Sequence, residues 1–218
     1  MELDVSMANH YAMMVDLADK PVLMVGAGPV AEWKLSALLE TGAILTVVSP
    51  EATKQIQDWA ATGQLTWQSR TFEPDDLEGC SLVFAATNDT PVNQSICALA
   101  RERGVWVNNV DESGRGDVIV PAQFRRGTLH IAITTGGASP VLASEISREL
   151  QQKYGPEYEA YTAFLYKCRM WLNANVEDLN ERRIRTNIVL YSGLLEKIRL
   201  GEDDIALQDE LWERITRG

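Results

Sequence analysis

Residues 22–50 read VLMVGAGPVAEWKLSALLETGAILTVVSP, which predicts a strand, a glycine-rich turn, a helix and a second strand. The apolar run Val22–Val25 forms the first strand, and leucines at helical spacing follow the turn. Gly42 ends the helix, and Ile44–Val48 forms the second strand. This order of elements is typical of the nucleotide-binding half of an α/β domain.

The turn carries small residues at the spacing G-x-G-x-x-A, with Gly26, Gly28 and Ala31 at the three small positions. The first glycine permits a tight turn, the second lets the backbone approach a pyrophosphate, and the alanine lets the helix sit close to the strand. The helix N-terminus adds unpaired N–H groups and a positive dipole end. We therefore expect Gly26, Gly28, Pro29 and Val30 to contact a dinucleotide. The alternative is a structural turn that binds no ligand.

The end of the second strand bears on which dinucleotide binds. An acidic residue usually holds the adenosine ribose there, but this strand continues as Ser49-Pro50-Glu51. We expect Ser49 and Pro50 to line the cofactor site, with the serine hydroxyl making one hydrogen bond. No arginine follows the strand to bind a 2′-phosphate, so the charge pattern alone leaves NAD and NADP open.

Composition excludes several classes of partner. The 218 residues carry a net charge of −11 and a pI of about 4.7, which argues against nucleic acid and against an anionic membrane surface. The three cysteines are widely spaced and form no metal-ligand or redox pattern, so we expect no protein-bound metal and a cytoplasmic location. No apolar run approaches the ~20 residues that cross a bilayer, and the first residues lack the basic start of a signal peptide.

Strand and helix patterns alternate as far as residue 107 and predict a doubly wound parallel sheet of the Rossmann type. After the first two strands, helices are expected over 52–62 and 91–103, and strands over 65–70, 82–86 and 105–107. In such sheets, ligands bind beyond the carboxyl ends of the strands. The segments 87–89 and 108–111 are therefore expected in the site, with Thr87, Asn88 and Asn109 as cofactor contacts.

A different pattern begins at Asp117. Residues 117–124 and 128–134 are β-rich runs joined by Arg125-Arg126-Gly127, which predicts a hairpin. A helix over 141–154 is expected next, with Ser139 as its N-cap and Pro140 as its first residue.

The two ends of the chain are less specific. Residues 11–17 are interpreted as an edge strand, a flap over the cofactor turn or a packing segment. Residues 156–218 have a helical pattern. We expect two apolar stripes there: Tyr161, Phe164, Leu165 and Cys168 in the first, and Ile184, Ile188, Leu190, Tyr191 and Leu194 in the second.

Taken in order, these motifs resemble those of the precorrin-2 dehydrogenase family, which also forms the N-terminal module of siroheme synthases. The matching pieces are residues 11–17 (YAMMVDL), 25–34 (VGAGPVAEWK), 47–51 (VVSPE), 84–89 (FAATND), 107–112 (VNNVDE), 119–127 (IVPAQFRRG) and 134–143 (TTGGASPVLA). The combination of the cofactor turn with TTGGASP is specific, and the match covers residues 10–150.

The resemblance implies an NAD-binding Rossmann domain over 1–112, a β-rich dimerisation segment over 113–150 and a helical C-terminal domain over 151–218. It implies NAD as the cofactor, an intertwined homodimer and the oxidation of precorrin-2 to sirohydrochlorin. Some members of the family also insert Fe²⁺ to make siroheme.

The resemblance also implies roles for individual residues. Asp111 matches the catalytic aspartate of the family, although a turn or capping role is the alternative. The substrate is a polycarboxylate, and arginine binds carboxylates through paired hydrogen bonds, so Arg125 and Arg126 are the leading substrate contacts. The alternative is that these arginines belong to a solvated turn or helix face. Gly137 and Ser139 match the family's GG-x-SP turn near the tetrapyrrole. Further candidates on the tail are Arg182, Arg183 and Arg185.

Two alternatives to a pure dehydrogenase stay open. Many relatives carry a cysteine shortly after the aspartate, and the run 111–118 has none. The missing cysteine weakens the case for chelatase activity more than the case for dehydrogenase activity. The first alternative is a bifunctional enzyme that also inserts Fe²⁺ or Co²⁺. The second is a non-catalytic NAD(H)-sensing module, although the missing ribose acid counts against it.

Overall fold

The computed structural model describes residues 10–110, 116–201 and 205–217. Contacts divide the chain into two compact units, Met1–Val120 and Pro121–Gly218. The three-domain division implied by the family resemblance stays a prediction.

The first unit is built on a sheet of five parallel strands in the order β3-β2-β1-β4-β5. Every residue of β4 and all but the first of β1 are buried, as expected for strands covered on both faces by helices. The doubly wound Rossmann arrangement predicted from the sequence is therefore confirmed. The strands are β1 (Pro21–Val25), β2 (Ile44–Val48), β3 (Thr66–Gln68), β4 (Leu82–Ala85) and β5 (Trp106–Asn109).

The helices of this unit are α1 (Pro29–Leu38), α2 (Lys54–Ala61) and α3 (Thr90–Glu102), with short 3-10 segments at Leu39–Thr41 and Pro74–Leu77. They enclose two apolar clusters, one containing Ala31 and Leu35 of α1 and the other containing Ile96 of α3. The buried face of α3 also includes Asn93, a polar residue that the apolar pattern did not predict.

The segment before β1 forms no strand, so the edge-strand interpretation of residues 11–17 is wrong. Only its end contributes to the core, because Leu17 packs against the cluster that contains α1. Tyr11, Met13 and Met14 are exposed, with Tyr11 at 87%. The flap interpretation stays a prediction.

The second unit begins with an antiparallel hairpin of β6 (Ala122–Arg126) and β7 (Leu129–Ile133), as predicted. The turn is shorter than expected, however, because Arg125 and Arg126 belong to β6 and pair with His130 and Leu129. Helix α4 (Pro140–Lys153) follows, with contacts to both strands.

Four further helices complete this unit: α5 (Glu157–Asn175), α6 (Leu179–Leu190), α7 (Leu194–Arg199) and α8 (Ile205–Arg217). The first predicted apolar stripe is confirmed, since its members lie in or against the core of these helices. The second is wrong in part: Ile184, Leu190 and Tyr191 are exposed, and Val189 is buried instead. Helical phase is broken between Tyr191 and Leu194, because α6 ends at Leu190 and α7 begins after Gly193, whose φ is +79°.

Across the parts of the chain that the structure describes, no helix has the length and apolar character needed to cross a membrane.

Candidate functional site

The glycine-rich turn between β1 and α1 lies against the end of β4. Gly26 has φ +102°, and a Cβ there would lie 2.3 Å from the carbonyl oxygen of Ala86 and 2.9 Å from the backbone nitrogen of Thr87. The Gly26 N–H donates to the Val48 carbonyl at 2.9 Å. Only glycine tolerates both the positive φ and the lack of room for a Cβ. Gly26 thus lets the turn pack closely between β2 and β4.

Two residues further on, Gly28 faces open space. Its φ of −81° suits any residue, and a Cβ built on it has no atom within 4 Å. It is the N-cap of α1, and no side chain of the described residues caps the helix. The N–H groups of Val30 and Ala31 in the first turn have no intrahelical acceptor, and Pro29 has no N–H to satisfy. The arrangement is a cradle for an anion such as a pyrophosphate.

The exit of β2 is tied to this cradle. The Thr53 N–H donates to the Ala27 carbonyl at 3.1 Å, which holds the start of α2 beside the glycine turn. The carbonyls of Ser49 and Pro50 accept hydrogen bonds from the Trp67 indole at 3.0 Å and the Ser69 hydroxyl at 2.9 Å. Both carbonyls are thus used within the protein, and the Ser49 hydroxyl is left for the expected ribose contact.

The exit of β4 supplies Thr87 and Asn88. The Ala86 N–H donates to the Val25 carbonyl at 2.8 Å, so the chain leaves the sheet directly beside the glycine turn. Asp89 then caps α3 by accepting from the Val92 N–H at 3.2 Å. Asn88 is exposed, whereas Thr87 is half-buried.

The exit of β5 is the fourth edge of the site. The Val110 N–H donates to the Ala85 carbonyl at 3.0 Å, and the side chain of Asn109 is buried. The described residues resume at 116, and the Asp117 N–H donates to the Val107 carbonyl at 2.8 Å. Asp111, the expected catalytic residue, lies outside the described residues; Val110 directly follows β5, and Asp117 bonds to that strand.

A positive charge that the sequence analysis did not single out lies on α1. The Lys34 ammonium is 5.7 Å from the centroid of the Phe84 ring in β4 and 5.6 Å from that of Trp33. Burial lowers the pKa of Lys34. Its position six residues into an amphipathic helix gave no signal that distinguishes it from an ordinary surface lysine.

In the second unit, the two expected substrate arginines lie in one strand. Consecutive strand residues point to opposite faces, so Arg125 and Arg126 cannot bind one carboxylate as a pair. The Arg126 guanidinium lies 5.4 Å from the Phe124 ring centroid and donates to the Arg125 carbonyl at 3.0 Å. Its buried Nε has no hydrogen-bond partner in the described chain. Arg125 is on the more exposed face.

The TTGGASP turn leads into α4. Gly136 and Gly137 have φ of +63° and +90°, and Ser139 caps the helix by accepting from the Leu142 N–H at 3.1 Å. The Thr135 hydroxyl closes the turn by accepting from the Ser139 N–H at 2.9 Å. The capping role predicted for Ser139 is confirmed, and the expected substrate contact of Gly137 and Ser139 stays a prediction.

The three candidate arginines of the tail, Arg182, Arg183 and Arg185, have different surroundings. Arg185 donates to the Ile215 carbonyl at 2.7 Å and Arg182 contacts Asn173, so both already connect helices. A cleft of about 410 Å³ between α5 and α6 has three guanidinium groups and no carboxylate among its described lining residues. The lining residues are Arg169, Leu172, Asn173, Arg182, Arg183, Thr186, Asn187 and Leu190.

Within the described ranges, no three histidine, cysteine, aspartate or glutamate side chains lie close enough to hold a metal ion. The expectation of no protein-bound metal stays a prediction.

Comparisons with known proteins agree with this geometry. An NAD(P)-binding family model matches residues 13–122. The precorrin-2 dehydrogenase of Priestia megaterium is 36% identical over 180 residues, which are 82% of this chain and 89% of that protein. The siroheme synthase of Xylella fastidiosa is 34% identical over 207 residues, 93% of this chain but only 44% of the relative, so the chain spans less than half of that longer protein.

A solved structure is also similar. SirC, a precorrin-2 dehydrogenase, matches with a TM-score of 0.78 and 30% identity, over 96% of this chain and 100% of that chain. The fold and the glycine cradle define a Rossmann-type NAD(P)-binding protein. Within that class, the chain belongs to the precorrin-2 dehydrogenase family, which it shares with the N-terminal part of siroheme synthases.

Proposed function

We propose that the chain is an NAD-dependent dehydrogenase that oxidises precorrin-2 to sirohydrochlorin in siroheme biosynthesis. The observation that carries this proposal is the cradle at Gly28, where a Cβ has no atom within 4 Å beside an uncapped helix N-terminus. Membership of the precorrin-2 dehydrogenase family supports the choice of substrate.

The residues of the cradle are suited to hold NAD. The first-turn N–H groups of α1 bind the pyrophosphate, and the lack of a side chain at Gly28 lets the backbone approach it. Bound NAD⁺ supplies a hydride acceptor. The proposed further contacts lie at or just after the carboxyl ends of β2, β4 and β5: Ser49, Pro50, Thr87, Asn88 and Asn109.

Oxidation of precorrin-2 releases a hydride and a proton, and the proton needs an acceptor. We assign that role to Asp111, which follows β5 and its exit residue Val110. The carboxylates of the macrocycle are assigned to Arg125 and Arg126, which contact different ones because they point to opposite faces of β6. Gly137 and Ser139 are proposed to line the same substrate.

The proposal includes an intertwined homodimer in the cytoplasm. Exposed apolar side chains such as Met13, Met14 and Val141 are the kind of surface that a second copy covers. The three cysteines are free thiols, which suits a reducing compartment.

The experiment is incubation of the purified protein with precorrin-2 and NAD⁺, following NADH formation and the visible spectrum of the macrocycle. We expect conversion, with Asp111→Asn lowering kcat by about 100-fold or more at unchanged NAD⁺ affinity. The neighbouring carboxylate provides the matched control, because Glu112→Gln also removes one negative charge and is expected to keep activity.

Three other results would redirect the assignment. Tight NAD⁺ binding without turnover identifies a sensing module. A spectral change of sirohydrochlorin with Fe²⁺ or Co²⁺ that needs no NAD⁺ and is lost in Asp111→Ala identifies the bifunctional enzyme. Absence of NAD⁺ binding rejects the dehydrogenase.

A further inference from the structure

One buried polar side chain of the first unit makes three hydrogen bonds to a loop at the edge of the nucleotide site. Asn93 lies in α3 and is 0% exposed. Its Oδ1 accepts hydrogen bonds from the Thr87 backbone N–H at 3.1 Å and the Thr87 hydroxyl at 2.7 Å. Its Nδ2 donates to the Thr87 carbonyl at 2.9 Å. A single amide therefore bonds every polar group of one residue in the loop between β4 and α3.

The residue that Asn93 holds is also the one that packs on the glycine turn. The peptide between Ala86 and Thr87 lies so close to Gly26 that a Cβ there would be 2.3 Å from the Ala86 oxygen. Gly26 therefore leaves this peptide room that a residue with a Cβ would take, and Thr87 lies where the loop after β4 meets the glycine turn of the nucleotide site.

We propose that Asn93 is a positioning residue of the nucleotide site, which fixes the loop after β4 through Thr87 and so keeps the glycine cradle in its binding geometry. This inference rests on the proposed NAD-binding function. It differs from a purely stabilising role in what it changes, because a residue that only stabilises the fold alters the unfolding midpoint and leaves NAD⁺ affinity as it was.

The amide is the chemistry that this position requires. The Thr87 carbonyl needs a donor, while the N–H of the same residue needs an acceptor. Asparagine presents one of each on the same carbon atom. An apolar side chain removes the partners of the Thr87 N–H and carbonyl, whereas the hydroxyl also donates to the Asp89 carbonyl at 3.1 Å, and an ionised aspartate places an acceptor against the Thr87 carbonyl.

The first test compares two truncations in the same helix. Asn93→Ala removes the hydrogen bonds to Thr87, whereas Ile96→Ala removes buried apolar volume one turn further along and leaves them intact. Both lower the midpoint of thermal unfolding. We expect NAD⁺ affinity, measured by calorimetry below that midpoint, to fall about tenfold in Asn93→Ala and to stay within about twofold of wild type in Ile96→Ala. The KM for NAD⁺ should rise in parallel, with kcat at saturating NAD⁺ little changed.

The second test does not depend on how well the alanine variant folds. Asn93→Asp retains the shape, and burial raises the pKa of a carboxyl group, so at low pH the protonated acid still donates to the Thr87 carbonyl. At higher pH the ionised form loses that donor. We expect NAD⁺ affinity to approach the wild-type value as the pH falls and to weaken at least about fivefold as the pH rises, with no such change in wild type.

The outcomes separate this inference from the function on which it rests. Wild-type affinity in both Asn93 variants, with only their unfolding midpoints lowered, overturns the positioning role and leaves the dehydrogenase intact. Failure of the wild-type protein itself to bind NAD⁺ rejects the proposed function instead.

Discussion

Gly26 and Gly28 belong to the same turn but are required for different reasons. A side chain at Gly26 would collide with the backbone that directly follows β4, and its φ of +102° is unfavourable for any residue with a Cβ. Gly28 has neither constraint, since its φ is ordinary and the space around it is open. The first glycine is thus needed by the protein, and the second is needed only if a ligand occupies that space.

This contrast predicts opposite effects of two matched substitutions. Gly26→Ala is expected to destabilise the protein by about 3 kcal/mol or more, through strain and overlap with the Ala86 carbonyl. Gly28→Ala is expected to leave the unfolding midpoint unchanged and to weaken NAD⁺ binding about tenfold or more, because the methyl group occupies the pyrophosphate cradle. Denaturant unfolding and calorimetric titration measure the two effects. Unchanged NAD⁺ affinity in Gly28→Ala would show that the cradle is not the phosphate site.

Asp76 provides a test of charge at the residue scale. Hydrogen bonds from Arg70, one of them 2.9 Å, hold the pKa of Asp76 below its usual value, and its Oδ2 also accepts from the Glu73 N–H at 2.8 Å. A lowered pKa in the folded state means that the stabilisation is complete above the unfolded-state pKa of about 4 and is lost as the pH falls through the folded-state value.

Asp76→Asn is therefore expected to cost about 1 kcal/mol at about pH 7, a modest figure because the Arg70 side chain is partly exposed and screened by solvent. The difference from wild type should shrink as the pH falls through the lowered pKa of the native carboxyl group, because below it that group is also protonated. Urea unfolding at about pH 7 and at successively lower pH provides the measurement. A difference that does not change with pH would attribute the effect to packing instead of charge.

At the scale of single elements, the start of α4 combines a structural and a proposed functional role in Ser139. Its hydroxyl accepts from the Leu142 N–H, and its own N–H donates to the Thr135 hydroxyl. Both bonds fix how the chain leaves the two left-handed glycines and enters the helix.

Replacing the cap separates the two roles. Ser139→Ala is expected to lower the free energy of unfolding by about 1 kcal/mol, while Ser139→Asp, which also caps well, should retain most of it. If Ser139 also contacts the tetrapyrrole, Ser139→Asp will raise the KM for precorrin-2 despite normal stability, because a carboxylate repels a polycarboxylate. Urea titrations and initial rates measure the two effects. A normal KM in Ser139→Asp would restrict the residue to capping.

At the scale of the whole molecule, the apolar side chains left exposed in each unit need an explanation. Tyr11 and Met14 of the first unit and Val141 and Leu142 of the second are each more than half exposed. Surface of this kind marks sites of association in many proteins.

The proposed homodimer predicts a mass of about twice the 24.2 kDa of one chain in size-exclusion chromatography with light scattering. Val141→Lys together with Leu142→Lys should shift the protein toward monomer if α4 contributes to the interface. Lys20→Ala, at an exposed position beside β1, serves as a surface control and should leave the mass unchanged. A single-chain mass for the wild type at micromolar concentration would contradict the homodimer.

Local pattern determined most of the first unit. The runs 22–25, 44–48 and 82–86 are apolar strands bounded by turns, and the structure has β1, β2 and β4 there within one residue. The glycine turn could be predicted equally well, because small residues at this spacing are needed for the tight turn and the close helix–strand packing. Periodicity failed where helical phase changed without an apolar signal, as at Gly193, and where a strand continued through charged residues, as at Arg125 and Arg126.

By itself, the sequence determined the order of elements, the parallel sheet and the position of the nucleotide-binding turn, because each depends on the spacing of neighbouring residues. Only the tertiary structure decided which groups come into contact. The Ala86–Thr87 peptide lies against Gly26, and Asn93 points inward and bonds to Thr87. The first contact joins segments that are far apart in the chain, and the second spans only six residues but depends on which face of α3 packs inward. They depend on how the elements pack, for which local patterns of polarity contain no information.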